Sequence, residues 1–480
     1  MDSFAKESYR RRNISASEPM NYTSNITSPQ LKKIHSGKVR ESFRVDNNRR
    51  LIIATDRISS FDFVLDTPVP GKGAVINSLA AFWFENTRDI IDNHFIELLD
   101  PSVTLVKEAK PIPVEIVIRG YLTGSAWRGY QSGKREVSGV PIPEGMTKNQ
   151  AFAAPIVTPT TKEKNDREIS PQGLFDEGWV TPEIYQQMEA AGLALFKRGS
   201  EMLAERGLIL VDTKYEFGLI DGKVVLIDEI HTPDSSRFWS KADYEKHPDT
   251  AEQLDKEYVR SYLLQNKVDG QYRKVLPDEV VEETTRRYEA IYEMITGKAI
   301  NAPRDDVKTR IRTSLVEHGL MKEGYIAVVM GSPGDVEHCR KIAKIIDSYD
   351  ICAELRVVSA HKNGEEILKL AASWNQSIEP VAVIAVAGRS NGLGGALAAN
   401  LAVPVFSCPP FADLADLQVN INSSLMMPSY TPGATVVDPK NAALVALRSL
   451  SLPRLRDRFA DEIRSMKEDL LKADESLRTF

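Results

Sequence analysis

LILVDTKYEFGLIDGKVVLIDEIHTPDSSRFW, residues 208–239, reads as a β-hairpin with acids gathered on one face. Strand side chains alternate between two faces, so Val211, Thr213, Tyr215 and Phe217 are expected on one side and Asp212, Lys214 and Glu216 on the other. Asp221-Gly222 supplies a turn, Lys223 to Ile230 a returning strand, and Asp228-Glu229 a second acidic pair. Two registers are open. A two-residue loop sets Glu216 opposite Ile227 and on the face of Glu229. A three-residue loop of Ile220, Asp221 and Gly222, with Gly222 left-handed, brings Asp228 to the face of Asp212, Lys214 and Glu216. We expect the second. Carboxylates facing each other across neighbouring strands repel unless a cation lies between them, and a few hard oxygen donors suit Mg²⁺ carried on a nucleotide phosphate. The plainer reading is a solvated face neutralised by Lys214.

Upstream, HSGKVRESFRV at 35–45 places Lys38 and Arg40 two apart entering a strand that continues to LIIATD, a spacing suited to gripping phosphate oxygens. No G-x-x-x-x-G-K-[ST] is present, and GKG at 71–73 lacks the rest of that pattern. An ATP site here must therefore be built from strand-borne cations and a metal. VEIVIRGYLTGSAWRGY at 114–130 is a buried strand ending in Arg119 beside the turn Gly120 to Ser125, a fork for a carboxylate or phosphate. APIVTPTTKEKNDREIS at 154–170 is expected to be a long functional loop holding Lys162 and Glu168. Asp234, Ser235, Ser236 and Arg237 form a polar loop after the hairpin, and 277–296 is an amphipathic helix ended by Gly297.

Bulk properties narrow the class. With 480 residues, two or more domains are expected. A net charge of -6 argues against an extended nucleic-acid surface. Cys339, Cys352 and Cys408 have no zinc-type spacing and fit a reducing compartment, hence a cytoplasmic location. No apolar run approaches the roughly twenty residues of a membrane helix. Residues 1–29 read as a mobile tail, with Asp2, Glu7 and Glu18 against a transit peptide.

From Tyr325 short apolar strands alternate with helices, the signature of a parallel sheet covered on both faces. Ligands bind such sheets beyond the C-terminal strand ends. Those ends carry Gly331-Ser332-Pro333-Gly334-Asp335, Ser359-Ala360-His361-Lys362 and Gly388-Arg389-Ser390-Asn391-Gly392-Leu393-Gly394. The third loop is not G-x-G-x-x-G and does not open the domain, so NAD is not expected. His361, the neutral-pH proton shuttle among these loops, is the candidate for catalysis; a helix-capping histidine is the plainer alternative.

Together GKVR, ATDRISSFD, IVIRGYLTGSAW, TPTTK, VDTKYEFG and DEIHTPDSSRFW resemble the phosphoribosylaminoimidazole-succinocarboxamide synthase family over residues 30–297. VMGS, RVVSAHK, AVAGRSNGLGG and SCPP resemble phosphoribosylaminoimidazole carboxylase over 325–452, with a helical linker at 298–324 and a charged helix at 453–480. The resemblance implies an ATP-grasp-like α+β domain followed by a three-layer, flavodoxin-like α/β domain. It implies ATP and Mg²⁺ as cofactors, and neither biotin nor NAD. Carried over by motif, Lys38, Arg40, Lys162 and Lys214 would contact ATP and Glu216 and Asp228 would hold Mg²⁺. Arg119, Ser125, Asp212, Asp234 and Arg237 would bind ribotide and L-aspartate. In the carboxylase half His361 and Lys362 would transfer the proton, while Ser332, Asp335, Ser359, Gly388, Arg389, Ser390, Asn391 and Gly394 would hold ribotide and CO₂. The SAHK and GRSNGLG forms resemble the animal class that takes CO₂ directly. Gly334 stands where related enzymes usually carry a second serine, a departure that bears on ribotide affinity. The implied partners are small molecules and further copies of the chain, an octamer built on the carboxylase domain, with no nucleic acid and no membrane. A second reading keeps the carboxylase-like domain for assembly or ribotide binding alone.

Overall fold

The computed structural model describes residues 23–478 except 62, 164–165, 252–255, 301–305 and 389–391. The chain divides into two compact units, one of Lys33–Ile311 with the N-terminal residues to Asn25, the other of Ile26–Lys32 with Arg312–Phe480. Residues 1–22 of the expected tail lie outside the described residues. Its last part is not a free tail, because Ile26 is fully buried and Ser28 Oγ donates to Glu379 at 2.7 Å within the second unit.

Beside two short two-stranded sheets, the first unit is built on two large, mainly antiparallel ones. One is ordered β1-β2-β3-β5-β4, from β1 Lys32–Ser36, β2 Arg40–Arg44, β3 Arg49–Ala54, β4 Phe95–Asp100 and β5 Val103–Lys107. The other is ordered β8-β7-β6-β9-β10, from β6 Lys110–Tyr121, β7 Ala151–Thr161, β8 Arg167–Glu168, β9 Leu208–Ile220 and β10 Lys223–Ile227, and β11 Ser236–Ser240 pairs with β9. The long helices α1 Lys72–Asn86, α2 Pro182–Ala204 and α3 Asp278–Thr296 contribute to the core. On β6, Ile112, Val114, Ile116 and Ile118 alternate into that core. The intervening Glu115, Val117 and Arg119 line a cavity, so one strand builds core and site by its two-residue repeat.

The expected long loop at 154–170 is mostly strand. Residues to Thr161 belong to β7, with Ile156 opposite Arg119, and the break is confined to the residues between Thr161 and Arg167. The β-branched run Ile156, Val157, Thr158, Thr160 and Thr161 outweighs its two prolines. The alternation expected on β9 holds for Tyr215 and Phe217, both buried in the main core. Val211 departs from it: it packs with Trp239 and Ala251 in a separate cluster, because the pairing of β9 with β11 slips between Leu210 and Asp212.

The hairpin register is the two-residue alternative, contrary to expectation. Ile220 pairs with Lys223 and Glu216 with Ile227, and Asp221 and Gly222 both have positive φ, 51° and 78°. Positive φ at both central residues matches the twist of the flanking strands, and Asp-Gly is well suited to it. A regular continuation of β10 would turn Asp228 away from Glu216. Instead β10 ends at Ile227 and Asp228 adopts φ 67°, which re-aims its side chain.

The second unit is one parallel sheet, ordered β13-β12-β14-β15-β16, from β12 Tyr325–Met330, β13 Cys352–Val357, β14 Val381–Val386, β15 Val405–Ser407 and β16 Ala434–Thr435. By sequence this is 2-1-3-4-5, the order of flavodoxin-like doubly wound sheets. Helices α4 Val336–Asp347, α5 Glu365–Asn375, α6 Gly392–Asn400, α7 Leu414–Leu425, α8 Pro439–Ser449 and α9 Pro453–Leu477 complete it. Two separate apolar clusters, one with α4, α8 and α9 and one with α5 and α6, show that both faces of the sheet are covered.

Candidate active sites

Two cavities of the first unit lie along the polar faces of β6 and β9. One, of about 500 Å³, lies between the two sheets and is lined by Ile34, His35, Arg44, Arg50, His94, Lys107, Lys162, Glu216, Ile227 and Asp228 among others. The other, of about 350 Å³, is lined by Glu115, Arg119, Ser125, Asp212, Lys214, Asp234, Arg237, Lys256 and Arg260 among others. Between them runs a ladder of alternating charge. Lys214 Nζ is 2.6 Å from Glu115 and 3.8 Å from Glu216, Lys162 binds Glu216, and Arg40 holds Asp228 at 2.8 Å and Glu229 at 2.6 Å. Burial, reinforced by the charge of Asp228, pushes the Glu216 carboxyl up to about 7, against the pull of Lys162 and Lys214. Burial works the same way on Asp228, but Arg40, Lys162 and Lys214 overcome it and hold its carboxyl below the usual range. A divalent cation fits these two carboxylates: they are hard oxygen donors, and their mutual repulsion is what a cation removes.

In the second cavity Asp212 receives Arg237 and lies 3.7 Å from Arg119, whose Nε donates to Thr158 at 3.0 Å. Gly124, at φ 57°, makes room for this: a Cβ there would sit 2.7 Å from Arg237 Nη2. Ser125 is on the exposed rim and lines the same cavity. Asp234 is sequestered by Lys72 at 2.6 Å, Tyr288 at 2.9 Å and Lys256 at 3.8 Å. Burial opposes its ionisation, yet Lys256 and Lys72 hold its carboxyl far below the usual range. Burial also lowers the Lys256 ammonium to about 8.

The structure thus brings together Arg119, Ser125, Asp212, Lys214, Asp234 and Arg237 in one cavity and Lys162, Glu216 and Asp228 in the other. Lys38 is not in a strand with Arg40. It sits exposed in the turn before β2, so the two do not share a strand face. Sequence reading missed Glu115, Lys72, Lys256, Arg260 and Tyr288. Glu115 was findable, since it lies four residues before Arg119 on the same face of a strand. Lys256 and Arg260, four apart at the start of a helix, carried the spacing of a shared helix face. Lys72 gave no local sign, because its partner Asp234 is 162 residues away.

In the second unit the parallel register carries Gly331, Ser359 and Gly388 past the same edge of the sheet. His361 and Lys362 are exposed there, and a Cβ on Gly392 would meet His361 Cε1 at 3.0 Å, so the histidine ring rests on the start of α6. Ser332 Oγ accepts from Gly334 N at 3.2 Å, and burial raises the Asp335 carboxyl. Ser359 N donates to Asn363 Oδ1 at 2.8 Å. Gly394 is buried in α6, and Gly388 packs against Asn420, a buried α7 residue that sequence reading missed. Arg389, Ser390 and Asn391 lie outside the described residues.

The SAICAR synthetase family model matches residues 33–278, just over half of the chain. The chain belongs to the SAICAR synthetase family. A second match, to AIR carboxylase, covers residues 325–470, so a SAICAR synthetase is joined here to an AIR carboxylase in one bifunctional enzyme of purine biosynthesis. The synthetase half is 44% identical to the phosphoribosylaminoimidazole-succinocarboxamide synthase of Bacteroides fragilis, over 60% of this chain and 95% of that protein. It is 43% identical to the synthase of the same name from Azobacteroides pseudotrichonymphae, over 63% of this chain and 98% of that one. Among solved structures, the SAICAR synthase from Saccharomyces cerevisiae complexed with SAICAR aligns with TM-score 0.53 and 32% identity, covering 58% of this chain and 99% of that one. Among the described residues, no helix is long and apolar enough to cross a membrane.

Proposed function

We propose that the ladder between the two cavities is where the synthetase half transfers phosphate. In this reading ATP occupies the cavity between the sheets, in an ATP-grasp-like manner, and the carboxylated aminoimidazole ribotide occupies the cavity of Arg119 and Arg237. The ribotide carboxylate takes the γ-phosphoryl group, ADP leaves, and the amine of L-aspartate attacks the acyl phosphate and expels phosphate. Such a transfer needs positioned cations more than a protein nucleophile. The observation that carries this reading is that Lys162, Glu216 and Asp228 line one cavity while Lys214, two residues from Glu216, lines the other. Glu216 and Asp228 would hold Mg²⁺, which when bound would neutralise phosphate charge. Lys162 and Lys214 meet phosphate oxygens, and Lys38 closes over them from its turn. Both terminal guanidinium nitrogens of Arg40 are committed, Nη1 to Asp228 and Nη2 to Glu229, so Arg40 positions the carboxylates. Arg119, Ser125, Asp212 and Arg237 orient the ribotide, and Asp234 keeps Lys72 and Lys256 in place beside the entering aspartate.

In the carboxylase half, the C4 carbon of aminoimidazole ribotide is the nucleophilic end of an enamine and attacks CO₂ without biotin or ATP. His361 removes the C4 proton with Lys362 assisting, backbone N-H groups of the 388–394 loop hold CO₂, and Ser332, Asp335 and Ser359 hold the ribotide. The direct use of CO₂, a cytoplasmic location and a homo-oligomer built through this half, up to an octamer, belong to the same proposal. Supplying aminoimidazole ribotide, bicarbonate, L-aspartate, ATP and Mg²⁺ tests it: the succinocarboxamide should form. His361→Asn should abolish carboxylation and leave ligation from the carboxylated ribotide intact, and carboxylation that survives this change overturns the assignment.

A further inference from the structure

Residues 26–32 precede the first unit in sequence but pack within the second. Their chain neighbours on both sides, up to Asn25 and from Lys33, belong to the first. The local sequence gives the segment a definite shape. In Ser28-Pro29-Gln30-Leu31 a serine and a proline hold the first two places of a β-turn, and Leu31 N donates to Ser28 O at 3.4 Å. The Ser28 hydroxyl accepts from Gln30 N at 3.1 Å and braces the turn from within.

Each part of the segment then meets the second unit. Thr27 forms a parallel bridge with Ser377, and Ile378 N donates to Thr27 O at 3.0 Å. The Gln30 amide pairs with both backbone groups of Lys322, its Nε2 donating to the carbonyl at 3.0 Å and its Oε1 accepting from the N-H at 2.9 Å. Ser28 Oγ at 2.7 Å and Gln30 Nε2 at 3.3 Å donate to one oxygen of Glu379, whose other oxygen accepts from Ser377 at 2.8 Å. Glu379 is only 3% exposed, so these are bonds to a buried charge, which are stronger than neutral ones and costly to leave unmade. Ile26 and Leu31, at either end, are buried. Lys322 and Glu379 precede β12 and β14, whereas Ser332 and Gly388 follow them. Six residues of strand, roughly 20 Å, therefore separate the segment from the candidate ribotide loops, and its role is structural.

A segment this short holds weakly by itself. Covalent attachment raises its effective concentration, to a degree set by the chain that joins the contacts. Residues 33–311 are that chain. Folded, they hold their two ends at one separation; unfolded, they become a long flexible loop whose closure costs entropy. We propose that residues 26–32 are a clasp that completes the AIR carboxylase unit while the SAICAR synthetase unit is folded, so that the stability of the second follows the folding of the first. The proposal rests on neither catalytic assignment.

The test uses the full chain with Ser28→Ala and Gln30→Ala together, and with Gln30→Ala alone as the milder change. Hydrogen–deuterium exchange reads the contact directly at the amides of Ile378 and Lys322. Exchange at both is expected to rise at least tenfold in the double variant, with β9 unaffected, and unchanged exchange overturns the clasp. Heating followed by separate assays reads the consequence. The double variant should lose carboxylation at least fivefold faster than the unaltered chain, its rate before heating staying within twofold, and equal heat resistance overturns the stabilising role. Leu195→Ala, which opens a cavity in the core of the first unit, reads the coupling. With the clasp intact it should speed the loss of carboxylation as well as of ligation; in the Ser28 and Gln30 background it should speed the loss of ligation alone. Carboxylation lost no faster with the clasp intact, or equally faster in both backgrounds, overturns the proposal. Exchange at the β12 and β14 amides under the same heating gives this comparison independently of activity.

Discussion

At the scale of single residues, the synthetase site depends on one backbone angle. Asp228 faces Glu216 because it lies one residue past the last pair of the hairpin in a left-handed conformation that Asp tolerates better than most residues. The two carboxylates have different partners, and this makes them separable by mutation. Glu216→Gln keeps the shape, removes the charge that Lys162 and Lys214 share, and leaves a neutral amide oxygen where a charged metal donor is proposed. It is expected to lower ligation kcat by ~10²–10³-fold, as for loss of a principal electrostatic group, with carboxylation unchanged in a separate assay. Gly124 offers a second test. Its φ of 57° costs a side chain ~1–2 kcal/mol, and a methyl group would push Arg237 off Asp212. Gly124→Ala should therefore raise the ribotide KM about tenfold or more, equivalent to about 1.4 kcal/mol of binding, as initial rates at saturating ATP and aspartate will show.

At the scale of elements, β6 and β9 each place apolar residues in the core and charged ones in the cavities, so site geometry is tied to core packing. Helix α2 braces β9 through a close approach at Gly199, where a Cβ would lie 2.7 Å from His231 Nδ1. The His231 ring in turn meets the Tyr215 hydroxyl at 2.5 Å. In an open helix, Gly→Ala stabilises by about 1 kcal/mol. Here overpacking, typically ~1–3 kcal/mol, opposes it, and the clash is with a fully buried ring hemmed in by Trp83 and Tyr215. The clash should win. Gly199→Ala is expected to lower the urea midpoint of the first unit, and an unchanged or raised midpoint would show that the helix can shift away.

At the scale of the whole chain, buried histidines set a limit on the acid side. Burial lowers both His94 and His231 to about 3. The unfolded chain, with histidines near 6.5, binds more protons than the folded one between those values. This contribution to stability is therefore complete above about pH 6.5 and is lost as pH falls from there toward 3. Two such groups give a slope of up to ~2.7 kcal/mol per pH unit in that window, and Glu216, raised to about 7, offsets it by up to ~1.4 kcal/mol per unit between about pH 7 and 4.5, leaving a net fall with acid. Urea unfolding of the first unit at pH 7, 6 and 5 should show the midpoint falling with acid, and a flat profile would refute burial of neutral histidines.

Much of this was legible in the residues. The order of strands and helices after Tyr325, the alternation of β6, the Asp-Gly turn and the motifs of both halves are local or short-range patterns, and local patterns express the nearest-neighbour physics of helices, strands and turns. The sequence by itself therefore determined two joined domains, a parallel sheet with its loops on one edge, and acids and cations gathered on the β9 hairpin. It left the hairpin register between two alternatives that differ by one loop residue, and the expected one was wrong although the expected partners, Glu216 and Asp228, share a cavity. Only the tertiary structure decided that Asp228 turns back at a strand end, that Arg40 is committed to Asp228 and Glu229, and that Lys72 and Tyr288 close on Asp234. The physical reason is distance along the chain. Lys72 meets Asp234 across 162 residues, and such a contact is selected by the packing of a complete core, which no local spacing encodes.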